Sequence, residues 1–103
     1  MIYTEEQILD KAKSILKDLK GEYYKEDCIR KVSFNKEEVP IIFEDKVVSG
    51  WIISINSLFG NIDFLIISDE TGEPLYYQNF NYKKIEIAKN EEGKYYRVIK
   101  KEN

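Results

Sequence analysis

The sequence predicts an α+β domain in which one N-terminal helix packs on an antiparallel, hairpin-linked β-sheet of about four to six strands. Three observations carry this. Apolar residues recur at helical spacing between Ile8 and Leu19. From Val39 onward the apolar residues alternate with a period of two, as in strands with one buried face. Short polar clusters containing Gly, Asn or Asp punctuate those runs at hairpin spacing. A helix followed by a meander segregates the helix to one face of the sheet. The 103 residues fit one domain, 1–103, large enough to close a core without staples.

The helix spans about residues 4–20. Thr4 and Gln7 have the spacing of a capping box, with Tyr3 and Ile8 placed as a hydrophobic staple. Ile8, Ala12, Ile15 and Leu19, with Leu9 and Leu16 beside them, form its apolar stripe. Glu5 and Glu6 suit the positive end of the helix dipole, Lys17 and Lys20 the negative end, and Gly21 ends it. Residues 22–38 show no clean period; a short strand fits Lys31–Phe34, and Asn35–Glu38 has the composition of a polar loop. Val39–Phe43 forms a short strand whose Pro40 places it at an edge or a strand start, and Glu44-Asp45-Lys46 a turn.

Val47–Asn56 is the clearest strand, with Val47, Trp51, Ile53 and Ile55 on one face and Val48 and Ile52 on the other. Gly50 beside Trp51 suggests a bulge or a sharp twist. After a connection at Ser57–Asn61, Ile62–Ser68 places Ile62, Phe64 and Ile66 opposite Leu65 and Ile67, and Asp63 is expected to mark the solvent face. Asp69–Gly72 is a hairpin turn, Pro74–Phe80 a strand, and Lys84–Lys89 with Lys94–Lys100 a last hairpin around Asn90–Gly93.

The chemistry of the chain points away from catalysis. There is no histidine, which removes the commonest general base and metal ligand together with any Ser-His or Cys-His nucleophile. One cysteine, Cys28, forms no intramolecular disulfide and no Cys-rich zinc site. The five glycines form neither a P-loop nor a dinucleotide fingerprint. Neighbouring acids such as Glu37-Glu38, Glu44-Asp45, Asp69-Glu70 and Glu91-Glu92 fall in expected turns, where solvation accounts for them without paired-carboxylate chemistry. The reading is therefore a non-enzyme with no cofactor and no metal. The N-terminus lacks a basic and apolar leader, and no apolar run is long enough to span a bilayer, so a cytoplasmic protein without membrane contact is expected.

Charge is segregated. Residues 37–82 hold one lysine, Lys46, against eight acids, giving −7, while residues 1–36 sum to +1 and residues 83–103 to +3. An acidic middle disfavours nucleic acid and favours steering of a basic protein partner, although acids also serve simply to keep turns soluble. Tyrosine is abundant, with Tyr76, Tyr77, Tyr82, Tyr95 and Tyr96 in the C-terminal third. In each adjacent pair one ring should enter the core and the other face the opposite surface, as an interface anchor or an ordinary cross-strand packer.

The leading helix, the strand Val47-Val48-Ser49-Gly50-Trp51-Ile52-Ile53 and the run Phe64–Ser68 into Asp69-Glu70-Thr71-Gly72-Glu73-Pro74-Leu75 resemble small bacterial immunity proteins that neutralise polymorphic toxins. The helix and the D-x-x-T-G-E hairpin also resemble the PepSY domain, and the helix-then-sheet order resembles the cystatin fold. The glutamine of the cystatin inhibitory loop has no counterpart at Val48-Ser49-Gly50. The first resemblance implies a cytoplasmic protein that binds and blocks a toxin domain. The second and third imply a regulatory or inhibitory module. A homodimer formed through a sheet edge or a tyrosine face is a further arrangement. Glu44, Asp45, Asp69, Glu70, Glu73, Tyr76 and Tyr82 are the expected contacts to a basic protein partner.

Overall fold

A computed structural model describes residues 2–41 and 46–98. Helix α1 (Glu5–Lys20) is followed by a 3-10 turn, Gly21–Tyr23. Strands β1 (Ile29–Ile41), β2 (Lys46–Asn56), β3 (Ile62–Ser68), β4 (Pro74–Gln78) and β5 (Lys84–Ile85) form one antiparallel sheet in chain order. A separate two-stranded sheet pairs β6 (Ile87–Lys89) with β7 (Tyr95–Arg97). The α+β architecture is the one expected.

The capping box of α1 is complete. The Gln7 amide donates to Thr4 Oγ1 at 3.1 Å, and the Thr4 amide donates to Gln7 Oε1 at 2.9 Å. Ile8, Ala12, Ile15 and Leu16 are fully covered against Trp51, Ile53 and Ile55 of β2, Leu65 and Ile67 of β3, Tyr77 of β4 and Tyr95 of β7. At roughly 1.5–3 kcal/mol for each large apolar side chain removed from water, this shared layer is the main stabilising term. A smaller apolar group, Ile66 and Tyr76 with Ile52, Phe64 and Leu75, covers the opposite face of the sheet.

Four features differ from expectation. Asn35–Glu38 is not a loop, because β1 runs through it and pairs with β2 on both sides of a register shift between Asn35 and Val39. That shift lies opposite Gly50, so the irregularity expected at the glycine is carried by the facing edge strand. Asp63 does not mark the solvent face. It lies opposite Ile55, two residues from Leu65 on the core side, and is buried. The Tyr77 hydroxyl donates to its Oδ2 at 2.5 Å, which makes an inward carboxylate tolerable. Tyr76 is also buried, 5% exposed, against Ile66 on the far face, so both rings of that pair are covered. Finally, Lys84–Lys89 splits at Glu86, sending β5 to the large sheet and β6 to the small one.

Candidate functional site

The hairpin geometry sorts the chain into two ends. The turn between β3 and β4 is at one end, together with the N-terminal residues. Asp69 there is 3% exposed. Its Oδ2 accepts from the Ile2 amide at 2.9 Å, and its Oδ1 accepts from the Tyr3 amide at 3.2 Å and the Trp51 indole N–H at 3.0 Å. Burial alone would raise the pKa of Asp69, but these donors outweigh it and hold the carboxyl below the usual range. The Tyr3 hydroxyl donates to the Thr71 carbonyl at 3.1 Å. Its side chain occupies the space that a Cβ on Gly72 (φ +72°) would need, with Cζ and the hydroxyl oxygen each 2.9 Å from that position. The turn is thus a latch for the start of the chain.

Glu73 is likewise committed. Its Oε2 accepts from the Tyr95 hydroxyl at 2.6 Å, and Oε1 lies 3.3 Å from Lys89 Nζ and 3.6 Å from Lys11 Nζ. Burial pushes the Glu73 carboxyl up, yet those hydrogen bonds and cations bring it below its ordinary value. Burial, then the bond to Glu73 and its charge, hold the Tyr95 phenol above the usual range. This cluster joins α1 to the β6–β7 hairpin. Of the expected contact residues, Asp69, Glu70 and Glu73 therefore share one turn, and of these Glu70 is exposed. Tyr76 is in a packed layer, and Glu44 and Asp45 lie outside the described residues. Tyr82 is at the opposite end of the sheet, so the expected set does not converge on one surface.

That opposite end carries a different constellation. Loop 57–61 joins β2 to β3 and loop 79–83 joins β4 to β5, so both emerge beside the start of β3. Two strand spacings separate them, about 10 Å. The segment after α1 reaches the same end, where the Cys28 carbonyl accepts from the Asn56 amide at 2.8 Å. Phe59 is 97% exposed, Tyr82 80% and Tyr23 77%, with Phe80 also exposed. Most of the exposed large apolar side chains among the described residues are gathered here, the others being Ile2 and Tyr96.

Phe59 (φ +56°) and Tyr82 (φ +63°) are the two non-glycine residues with a left-handed backbone among the described residues. A bulky side chain in that conformation is disfavoured by about 1–2 kcal/mol. The protein contains its own control. In loop 79–83 the Tyr82 amide donates to the Asn79 carbonyl at 2.9 Å, and Asn79 Oδ1 accepts from the Asn81 amide at 2.9 Å and the Lys83 amide at 3.0 Å. In the β6–β7 hairpin, Asn90 makes the equivalent bonds with Gly93, Glu92 and Lys94. The fourth position is glycine there (φ +82°) and tyrosine here. Tyr82 thus stands where the same turn elsewhere uses glycine, and its exposed ring offers little burial in return. Tyr82→Gly is expected to raise stability by about 1 kcal/mol in urea titration, since relief of the left-handed cost exceeds the added freedom of the unfolded chain.

Loop 57–61 was expected only as a connection. Its signal was the apolar pair Leu58-Phe59 placed at a hairpin tip beside Gly60-Asn61, where polar residues are the rule. Below both loops, the Asp63–Tyr77 bond ties β3 to β4. Burial first, then the bond to Asp63 and its charge, hold the Tyr77 phenol far above its ordinary range, so it remains a donor. Cys28 is buried, and burial pushes its thiol up despite Lys20 nearby, which suits packing rather than attack on a substrate.

Searches against protein-family models, curated proteins and solved structures found no match. Among the described residues no cluster of three or more His, Cys, Asp or Glu is placed to hold a metal ion, and no helix is long and apolar enough to cross a membrane.

Proposed function

We propose that this protein is a non-catalytic binding module that covers a surface of another protein, in the manner of an immunity protein blocking a toxin domain in the cytoplasm. The observation that carries the reading is the pair Phe59 and Tyr82, exposed on neighbouring hairpin tips in backbone conformations that disfavour their side chains. Strain of this kind at exposed positions is the pattern of a site kept for function at the expense of stability. Aromatic side chains are also the commonest anchors of protein interfaces. The turn hydrogen bonds fix the backbone from which both rings project, so the freedom lost when a partner seats on them is that of the side chains.

The partner is a basic protein. The net charge of −3 and the −7 carried by residues 37–82 supply a long-range field, to which Asp69 and Glu73 contribute even though their oxygens are occupied. Glu70 adds an exposed charge. The acids act on the rate of encounter and the aromatic end on the lifetime of the complex.

The experiment is capture of the partner from the native host by the tagged protein, followed by affinity measurement on the purified pair at low and high salt. The double variant Phe59→Ala, Tyr82→Ala is expected to weaken binding by several hundredfold, at roughly 2 kcal/mol per lost anchor, mostly through faster dissociation. Unchanged affinity would remove the aromatic end from the interface. Failure to capture a stoichiometric partner at either salt would dispose of the tight-blocking reading altogether.

A further inference from the structure

A second surface, separate from the aromatic end and independent of the reading above, lies along β1. This strand is the outer member of the five-stranded sheet, and among the described residues it pairs only with β2. Between Ile29 and Asn35 its register against β2 is regular apart from one extra residue at Arg30. Such an edge presents backbone donors and acceptors that a further strand satisfies. Beside it opens a cleft of about 590 Å³ lined by Ile2, Tyr3, Thr4, Glu5, Val32, Phe34 and Trp51. The Phe34 and Trp51 rings, 5.0 Å between centroids, form part of its apolar lining. The Asp69 latch holds Ile2 and Tyr3 in place along another side.

Charge specifies the occupant. Residues 29–36 contain Arg30, Lys31 and Lys36 and no acid, and none of the three cations is paired with a described carboxylate. Residues 29–36 of a second copy, paired with the same residues, would set cation against cation. Val32 lies opposite Ile53 on the cleft side of the sheet, whereas Lys31 lies opposite Ser54 on the other side. Glu5, lining the cleft, repels a carboxylate entering it. We infer that β1 accepts an added strand from another protein in which apolar residues alternate with acidic ones. The apolar side chains enter the cleft beside Val32 and Phe34, and the acidic ones lie on the Lys31 side. Backbone bonds to the edge supply affinity and the alternation supplies selectivity.

The probe is a synthetic peptide of roughly nine residues alternating Val and Glu, matched to the strand length and compared with its Val and Lys counterpart. Each is titrated into the full ¹⁵N-labelled chain. The expected result is amide shifts confined to residues 29–36, the cleft-lining residues 2–5 and the Trp51 indole, with the Val/Lys peptide at least about tenfold weaker. The variant Arg30→Glu, Lys31→Glu, on the exposed edge, should reverse that preference. Absence of shifts at about 1 mM peptide, equal response to both peptides, or shifts in loops 57–61 and 79–83 with β1 unmoved would each overturn the assignment.

Discussion

Replacing Asp69 by alanine is expected to destabilise the protein by about 3 kcal/mol or more, one of the two largest single-residue effects on this chain. Three donors lose their acceptor at once: the amides of Ile2 and Tyr3 and the indole of Trp51. Bonds to a charged acceptor contribute about 1.5–3 kcal/mol each, and a buried donor left unpaired costs about 1–3 kcal/mol. The N-terminal residues should also come away, freeing Tyr3 from Gly72 and Thr71. Because the folded-state pKa of Asp69 is depressed, its stabilisation is fully present above the unfolded value near about 4 and is lost as pH falls through the lower folded value. Urea midpoints between about pH 6 and pH 2 should therefore show an acid limb that is shallower in Asp69→Ala than in the native chain. Glu73 contributes a limb of the same sign, so part of the slope should survive.

The second large effect is expected from Tyr77→Phe, again about 3 kcal/mol or more. Removing one hydroxyl leaves the Asp63 carboxylate in the core with Oδ2 stripped of its donor, while Oδ1 already has no hydrogen-bond partner. An uncompensated buried charge is the costly half of a broken pair. Replacing both members should cost far less, since the double variant Asp63→Leu, Tyr77→Phe removes the charge along with its donor. A double-mutant cycle by thermal and urea unfolding checks this, and additive single effects would mean that the pair is not the reason for the loss. The pair lies at the base of both aromatic loops, so Tyr77→Phe should also weaken partner binding without touching the interface.

Much of the fold was legible in the sequence because its signals are local. The Thr4–Gln7 capping box, the stripe from Ile8 to Leu16 and the alternation through Trp51, Ile53 and Ile55 each depend on a few neighbouring residues. The failures arose where a distant partner decides. Asp63 was expected outside because it is charged, and Tyr77, fourteen residues on, brings it in. Asp69 has the composition of a solvated turn residue, and the N-terminal amides and Trp51 that bury it are far away in the chain. Residues 35–38 lack alternation in the sequence, and the register shift between Asn35 and Val39 falls on them. For the candidate site, Tyr82 was legible as a tyrosine in a turn. That its position belongs to glycine became visible only beside the Asn90–Lys94 hairpin, and the sequence signal at Leu58-Phe59 gained its meaning from the left-handed backbone of Phe59.

The most direct test of the aromatic end as the binding surface is photo-crosslinking in the native host. A benzophenone amino acid is placed at Phe59 or Tyr82, with Ser14 on the exposed side of α1 and Glu70 at the opposite end as controls. Discrete adducts to one protein from positions 59 and 82, and none from 14 or 70, are the predicted result. Adducts from position 70 alone, or none from 59 and 82 while the tagged protein still co-purifies with a partner, would contradict it.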